Sequence, residues 1–219
     1  LLERKKKFGE INSFIRRTIE DRDEHVADQK HFVKEIEFFT HVRPHPCILK
    51  FYGYFLNPNG ILVEYAQKGS LQNIFDYIRR KNAHPDGWTN TARAKAIFGI
   101  AAAIEHLHSY GVVHRYLNPN NILFNDKYEV RLGDFGFAKM QYDPTRMSAI
   151  ANSPFYSSPE ALSSTDYDWR VDVYSFSILT YQILTEKVPY DTKKYPGYEL
   201  TNQIVEKDLR PVIPDTIEP

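Results

Sequence analysis

A single cysteine, Cys47, stands in 219 residues, which excludes an internal disulfide framework. It lies in the apolar run CILKFYGYF and reads as a small core residue. The chain has no excess of either charge, with 28 basic and 28 acidic residues. Partners rich in phosphate draw proteins with a basic surplus, so nucleic-acid binding is not expected. The run Arg4-Lys5-Lys6-Lys7 reads as the solvated face of an edge strand. No apolar run reaches the ~18 residues of a membrane helix, and no stretch has the pattern of a signal peptide. A soluble, cytoplasmic chain without membrane insertion is therefore expected. The eight histidines show no pair at ligand spacing beside a carboxylate. His106 and His108 face different directions on a helix, so no histidine metal site is expected. There is no repeat and no low-complexity segment.

What is present is enough apolar material for a core, 42% of the residues, in a length that fits one large domain or two small lobes. Residues 1–19 read as strands, LLERKKKF and SFIRRTI, broken at Gly9. An acidic connector, EDRDEHVADQ, follows. HFVKEIEFFTHV then places Phe32, Ile36 and Phe39 on one helix face. CILKFYGYFL and GILVEYA are rich in β-branched and aromatic residues, and the Asn-Gly between them signals a hairpin. After a flexible join near Gly69 the pattern turns helical. LQNIFDYIRRK is the first helix and HPDGW a turn cluster. TARAKAIFGIAAAIEHLHSY carries a stripe of Ile97, Ile100, Ile104 and Leu107, with Gly111 just past its end as a left-handed cap. WRVDVYSFSILTYQILTEKVPY is apolar on nearly all sides and should be a buried central helix.

Polar groups crowd one stretch between two short predicted strands, VVHRYLNPNNILF at 112–124. It resembles the catalytic loop H-R-D-L-x-x-x-N of the protein kinase family. Other strings in the same order extend the resemblance over nearly the whole chain. HFVKEIEFF is similar to the regulatory helix, whose glutamate would be Glu35. HPCILKFYGYF resembles the His-Pro turn and the strand after it. ILVEYAQKGSL resembles the hinge, with Val63 in the gatekeeper position and Glu64 to Ala66 bordering the adenine. LGDFG holds the metal-binding triplet Asp134-Phe135-Gly136, SPE at 158–160 matches A-P-E, and DVYSF fits the central helix. The GSL after the hinge and the DVYSF are closest to the tyrosine-kinase-like group.

The resemblance implies an α+β, bilobal protein-kinase-like fold. Residues 1–66 would form a small β-rich lobe, truncated or degenerate, and residues 67–219 a mostly helical lobe lacking the last helices. It also implies ATP and Mg²⁺ as cofactors. Phosphoryl transfer needs positioned phosphates, a divalent cation and a group that accepts the hydroxyl proton. Asp134 and Asn121 would supply hard oxygens to the cation. Leu123 would floor the adenine pocket, and His114, Phe135 and Phe39 would belong to a stacked apolar spine. Asp172 would hold the loop backbone, and Arg115 could grip a phosphate on the activation segment, 137–157, which contains Thr145, Ser148 and Ser153.

The sequence departs from the family at the chemistry itself. Tyr116 stands where the family has the aspartate that takes the substrate proton. A carboxylic acid of pKa about 4 is charged at neutral pH, whereas a phenol of pKa about 10 is neutral and keeps its own proton. The ring also projects further into the place of the incoming hydroxyl. Loss of general-base help alone costs roughly 10²- to 10⁴-fold in rate. Asn118 stands where a lysine often contacts the transferring phosphate, and an amide carries no charge. The glycine-rich phosphate loop is reduced to Gly9 in KKKFGEINSF. The strand lysine aligns best with Arg17, which can pair with Glu35 or stand as an exposed strand arginine. Ile15 then takes the alanine position above adenine and narrows the slot. Three strands barely fit in residues 1–19, so the lobe is degenerate or residues are absent between about Glu10 and Ser13. Glu160 would then be without the arginine that the last family helices supply, at a cost that depends on burial.

The expectation is thus a pseudokinase, a regulatory or scaffolding module with weak or absent ATP binding that engages a protein partner, such as a partner kinase. Two alternatives stand beside it. One is an active serine/threonine-type kinase acting on a protein substrate, the other a switch that binds Mg-ATP without turnover.

Overall fold

The computed structural model describes residues 13–17, 25–56, 59–140, 154–164, 166–191, 193–196 and 198–215, with the backbone path alone over 13–17 and 25–30. A three-stranded antiparallel sheet comes first. Strand β1 (Ser13–Arg17) and strand β2 (Phe51–Leu56) flank β3 (Asn59–Glu64). The register sets Ile15 opposite Leu62 and Arg17 opposite Gly60. Helix α1 (His25–His41) covers this sheet, burying Phe32 against Leu49, Ile61 and Val63. The expected strand at 1–8, the loop around Gly9 and the question of residues missing near 10–13 concern positions 1–12, which lie outside the described residues.

The remaining elements form a helical body. Helix α2 (Leu71–Lys81) leads to α3 (Asn90–Ser109), then come short α4 (Pro159–Ser163), α5 (Arg170–Thr185) and α6 (Tyr198–Glu206). Two small sheets lie beside them: β4 (Gly69–Ser70), β6 (Ile122–Phe124) and β7 (Val130–Leu132) in the order β4-β6-β7, and β5 (Val112–Val113) paired with β8 (Lys139–Met140). Ile100 and Leu107 of α3, Ile122 and Leu132 of the β6–β7 hairpin, and Leu179 and Ile183 of α5 are all fully enclosed in one core. Each such side chain contributes about 1.5–3 kcal/mol relative to exposure. A smaller cluster of Tyr190, Leu200 and Ile204 seats α6.

Several local expectations hold for the reasons given. Helix α2 starts where Ser70 accepts from the Asn73 backbone and Asn73 returns a bond to the Ser70 N–H (2.9 Å), a reciprocal cap. Helix α3 ends where Gly111 takes φ 66°, a conformation that a Cβ would oppose. Others are corrected. Helix α1 begins at His25, inside the stretch read as connector. Its buried stripe runs through Phe32, Glu35 and Phe38, with Ile36 and Phe39 on the flank. The hairpin is present, but Asn59 and Gly60 sit within β3, opposite Leu56 and Phe55. The join at Gly69 is a strand paired with Leu123 and Phe124, which ties it to the body of the fold. Helix α5 is buried only in part, since Val173 and Leu184 are exposed.

Candidate functional site

The loop from His114 to Asn121 is held from beneath by one carboxylate. Asp172, in the first turn of α5, is fully buried. Its Oδ2 accepts the His114 backbone N–H and its Oδ1 that of Arg115, both at 2.8 Å. His108 of α3 lies 2.9 Å from the same Oδ2. A buried carboxylate is tolerable when its lone pairs are used in this way. The two amide bonds also hold Arg115 in a left-handed conformation, φ 66°, which costs about 1–3 kcal/mol in a residue with a Cβ. Such strain persists only where the surroundings over-determine it.

His114 is fully enclosed, with Nε2 at 3.1 Å from the Gly133 carbonyl. Burial pushes its pKa below the ordinary histidine range, against the pull of Asp172. Its ring meets Phe135 edge-on at 5.3 Å, Phe135 meets Phe39 at 5.4 Å, and Phe39 stacks on Phe51 at 4.7 Å. The predicted spine of His114, Phe135 and Phe39 is therefore brought together. Phe51 extends it to β2, and Phe38 lies flat against Phe135 at 3.7 Å. Sequence reasoning missed Phe38 and Phe51. Phe38 was legible as the neighbour of Phe39 on an aromatic-rich helix, but the choice between them depends on how α1 is rotated.

Asn121 and Asp134 are neighbours across the β6–β7 hairpin, where Asn121 accepts the Gly133 N–H at 3.0 Å. The Asn121 Nδ2 donates to the Tyr116 carbonyl at 2.7 Å. That bond uses the amide nitrogen and leaves Oδ1 as a ligand atom. Asp134 has φ 61°, again a position that only strong local constraint keeps. An amide oxygen and a carboxylate beside it are the donor types a Mg²⁺ ion accepts when phosphates complete its shell, so these residues fit the cation. No cluster of three or more His, Cys, Asp or Glu able to hold a metal by protein groups alone occurs among the described residues.

Tyr116 follows Arg115 in the loop, at the position expected to carry the proton acceptor. Its ring packs on Phe137 at 4.7 Å. Its backbone carbonyl takes bonds from Asn118 as well as Asn121. Asn118 is spent inside the loop, with Nδ2 on the Tyr116 carbonyl (3.0 Å) and Oδ1 on the Asn120 N–H (2.9 Å). It is thus a fastener of the loop and is not held ready for a phosphate. Arg115 turns its guanidinium to the Phe137 carbonyl (Nε 2.8 Å, Nη2 2.6 Å) and towards the Tyr167 hydroxyl at 3.5 Å. Thr145, Ser148 and Ser153 lie outside the described residues.

Along the hinge, Val63 is buried among Phe32, Leu49 and Ile61, and half-buried Leu123 packs against the same cluster. Glu64 turns its carboxylate to Arg131 of β7 at 2.5 Å, so its side chain is committed there. The Ala66 carbonyl closes a turn with the Gly69 N–H at 3.1 Å. Glu35 is buried on α1, while the side chains of Ile15 and Arg17, and with them the expected Arg17–Glu35 pair, lie outside the described residues. Glu160 is half-buried in α4 and its charge acts on Arg170, so it is not a carboxylate enclosed without compensation.

A small sheet capped by one helix, a helical body, and a loop pinned to its central helix beside an Asp-Phe-Gly turn define a protein-kinase-type domain. Comparison with known proteins agrees: the protein kinase domain family matches residues 7–215, and the chain belongs to that family. Dual specificity protein kinase pyk3 of Dictyostelium discoideum is 31% identical over 193 residues, covering 88% of this chain and 14% of that protein. Dual specificity protein kinase shkB of the same organism is 33% identical over 189 residues, covering 84% and 28%. This chain therefore spans well under a third of the length of either relative. Among solved structures, the CAK complex from Chaetomium thermophilum bound to ATP-γ-S superposes with a TM-score of 0.72 at 23% identity, over 89% of this chain and 59% of that one. That likeness establishes the protein-kinase fold.

Proposed function

We propose that this domain is a pseudokinase of the tyrosine-kinase-like group, a regulatory or scaffolding module of the cytoplasm that acts through a protein partner, such as a partner kinase. Residues 1–66 would form its small lobe and residues 67–219 its large one. The observation that carries the reading is the setting of Tyr116. Among the described residues, no carboxylate lines the cavity that Tyr116 borders. A substrate hydroxyl placed there would find a phenol in place of a carboxylate, and proton acceptance is what the position must supply. Asn118 adds no cation, since both ends of its amide are bonded within the loop.

The frame, in contrast, is kept. Asp172 fixes the loop, the aromatic stack joins α1 to Phe135, and Asn121 and Asp134 retain their oxygens. This supports a second reading, in which the domain binds Mg-ATP as a switch without turnover. Relatives named as dual specificity kinases are compatible with a third, an active enzyme that tolerates slow proton transfer, because positioning and electrostatics supply much of the rate.

The experiment is a pair of assays on the full-length protein. Melting is followed with and without Mg-ATP, since a ligand selective for the folded state raises stability. Phosphate transfer to a mixed protein substrate is followed with Asp134→Ala as control. The pseudokinase reading expects little or no thermal shift and no transfer. A shift of several degrees without transfer selects the switch. Transfer that Asp134→Ala abolishes overturns the non-catalytic reading. Tyr116→Asp isolates the cause: restored transfer would make the phenol the decisive loss.

A further inference from the structure

Three rings adjoin where the turn after α1 meets α3. His45 of the turn stacks on His106 of α3, with centroids 4.6 Å apart and planes 24° from parallel, and His106 meets Tyr110 at 5.1 Å. Both histidines are half-buried. Their bonding partners fix where the protons sit. The Cys47 backbone N–H, which can only donate, meets His45 Nδ1 at 3.2 Å. That nitrogen is therefore bare and the ring neutral. The Arg43 carbonyl, which can only accept, lies 2.9 Å from His106 Nε2, so this nitrogen carries a proton. Among the described residues, it makes the one hydrogen bond from α3 to the turn.

A proton added to His45 would set N–H against N–H at Cys47 and place a charge on a ring packed against a second histidine. Little nearby would compensate it. Glu105 of α3 pulls the other way, but among the described residues no bond joins it to either ring. Arg43, Lys50 and Arg131 line one cavity with His45 and add positive charge, and Glu64 in that cavity is already held by Arg131. His41 approaches from α1 by way of Tyr110, at 6.3 Å from that ring, and brings no negative charge. Glu129 and Arg131 act on the Cys47 thiol, whose pKa burial pushes up. Burial, then the neighbouring His106, hold the His45 pKa below the ordinary histidine range.

The turn continues directly from α1, whose Phe38 and Phe39 pack on Phe135. Its far end is tied to β7, where the Leu132 N–H donates to the Cys47 carbonyl at 2.8 Å. We infer that the His45–His106 pair is an acid-released latch, which in its neutral state fastens the turn after α1 to α3 and on protonation of His45 lets that turn go. A histidine that the folded chain keeps neutral takes its proton more readily once the turn is open. The latch is therefore closed above about pH 6.5 and opens as the pH falls below it. Opening loosens the last turn of α1, while α3 and α5, held by their own apolar core, stay in place. The inference does not depend on whether the domain transfers phosphate.

The test is hydrogen exchange of the full chain, read by mass spectrometry at about pH 7.5 and about pH 5.5 and corrected for the intrinsic pH dependence of exchange. Peptides spanning 40–48 are expected to lose protection by about fivefold or more at the lower pH, and peptides from α3 and α5 to keep theirs. His45→Asn puts an amide oxygen in the place of Nδ1, so the Cys47 N–H stays satisfied and nothing titrates. Its turn should be equally protected at both pH values. If that variant fails to fold, an NMR titration of the parent's histidine ring nitrogens decides instead. His45 Nδ1 should be bare at the higher pH and gain its proton at the midpoint where the 40–48 amides lose protection. Protection of the turn that ignores pH overturns the inference, as does a protonated His45 with the turn still closed. So does a His45→Asn variant that keeps the full acid response. An equal loss across α3 and α5 also overturns it, because the response would then belong to the whole core and not to this joint.

Discussion

Phe38 and Phe135 lie face to face, ring centroids 3.7 Å apart and planes 9° from parallel. One belongs to α1 and the other to the Asp-Phe-Gly turn, so the contact couples the helix over the small sheet to the loop beside the site. Both rings are buried in the main core. Phe38→Ala and Phe135→Ala should each lower unfolding stability by about 3–5 kcal/mol. The double change should cost clearly less than the sum, because each removes the other's partner. Urea titrations of the four proteins check this, and additive losses would contradict a direct coupling.

Asp172 is the single buried acceptor for two consecutive backbone N–H groups, those of His114 and Arg115. Asp172→Asn keeps the shape but replaces one oxygen by a donor that faces an amide hydrogen. The expected loss is about 2–4 kcal/mol, from one unsatisfied donor and one opposed pair in a buried site. Arg115 would also lose part of what holds it at positive φ. Hydrogen exchange should quicken selectively at the 114 and 115 amides. Unchanged exchange there would mean that the loop is held by something else.

Among the described residues, two histidines set the response to mild acid. Burial lowers the pKa of His114, opposed by Asp172, the Gly133 carbonyl and Asp134. Burial and the neighbouring His106 lower that of His45, opposed by Glu105. A depressed histidine means that the unfolded chain binds the proton more readily than the folded one. The stability contributed by the neutral rings is therefore full above about pH 6.5 and is lost as the pH falls below it. Glu129 and Asp168 are also depressed, by bonds from Asn125 and Arg170, but as carboxylates they act only below about pH 4.5. Denaturation midpoints should thus decline between about pH 6.5 and 5, and His114→Gln should flatten that decline. A midpoint level over this interval would contradict the assignment.

Gly60 lies under the Phe55 ring across the β2–β3 pair. A Cβ at residue 60 would stand 2.2 Å from the ring's Cζ. Gly60→Ala should therefore cost about 1–3 kcal/mol by overpacking. Adding Phe55→Ala should recover part of that loss, since it removes the atom that collides. Melting temperatures of the two single variants and the double variant measure the coupling, and a double variant no better than additive would refute the contact.

Elements were legible wherever local pattern and tertiary need agreed. The Ser70 cap, the stripe of α3 and the Gly111 terminator follow from period and backbone freedom, which are properties of a few adjacent residues. The roles of His114 and Asp172 could be expected from the order of the strings around them. The Asn59-Gly60 pair marked the hairpin but not its exact turn, because the sheet pairs Gly60 with Phe55. The apolar breadth of α5 overstated its burial, since Val173 and Leu184 face outward. The commitment of Asn118 to its own loop was hidden, because a side chain's bonding partners depend on a backbone path that the letters do not display.

The sequence by itself determined that a phenol, Tyr116, and not a carboxylate follows Arg115 in the loop, and that Asp134 and Asn121 carry oxygen donors; that is covalent identity and needs no fold. Only the tertiary structure decided that Phe38 meets Phe135, that Asp172 carries both loop amides, and that Gln182 from a helix far along the chain accepts the Tyr156 hydroxyl. Those relations join residues distant in the chain, and packing and burial set them rather than any local preference.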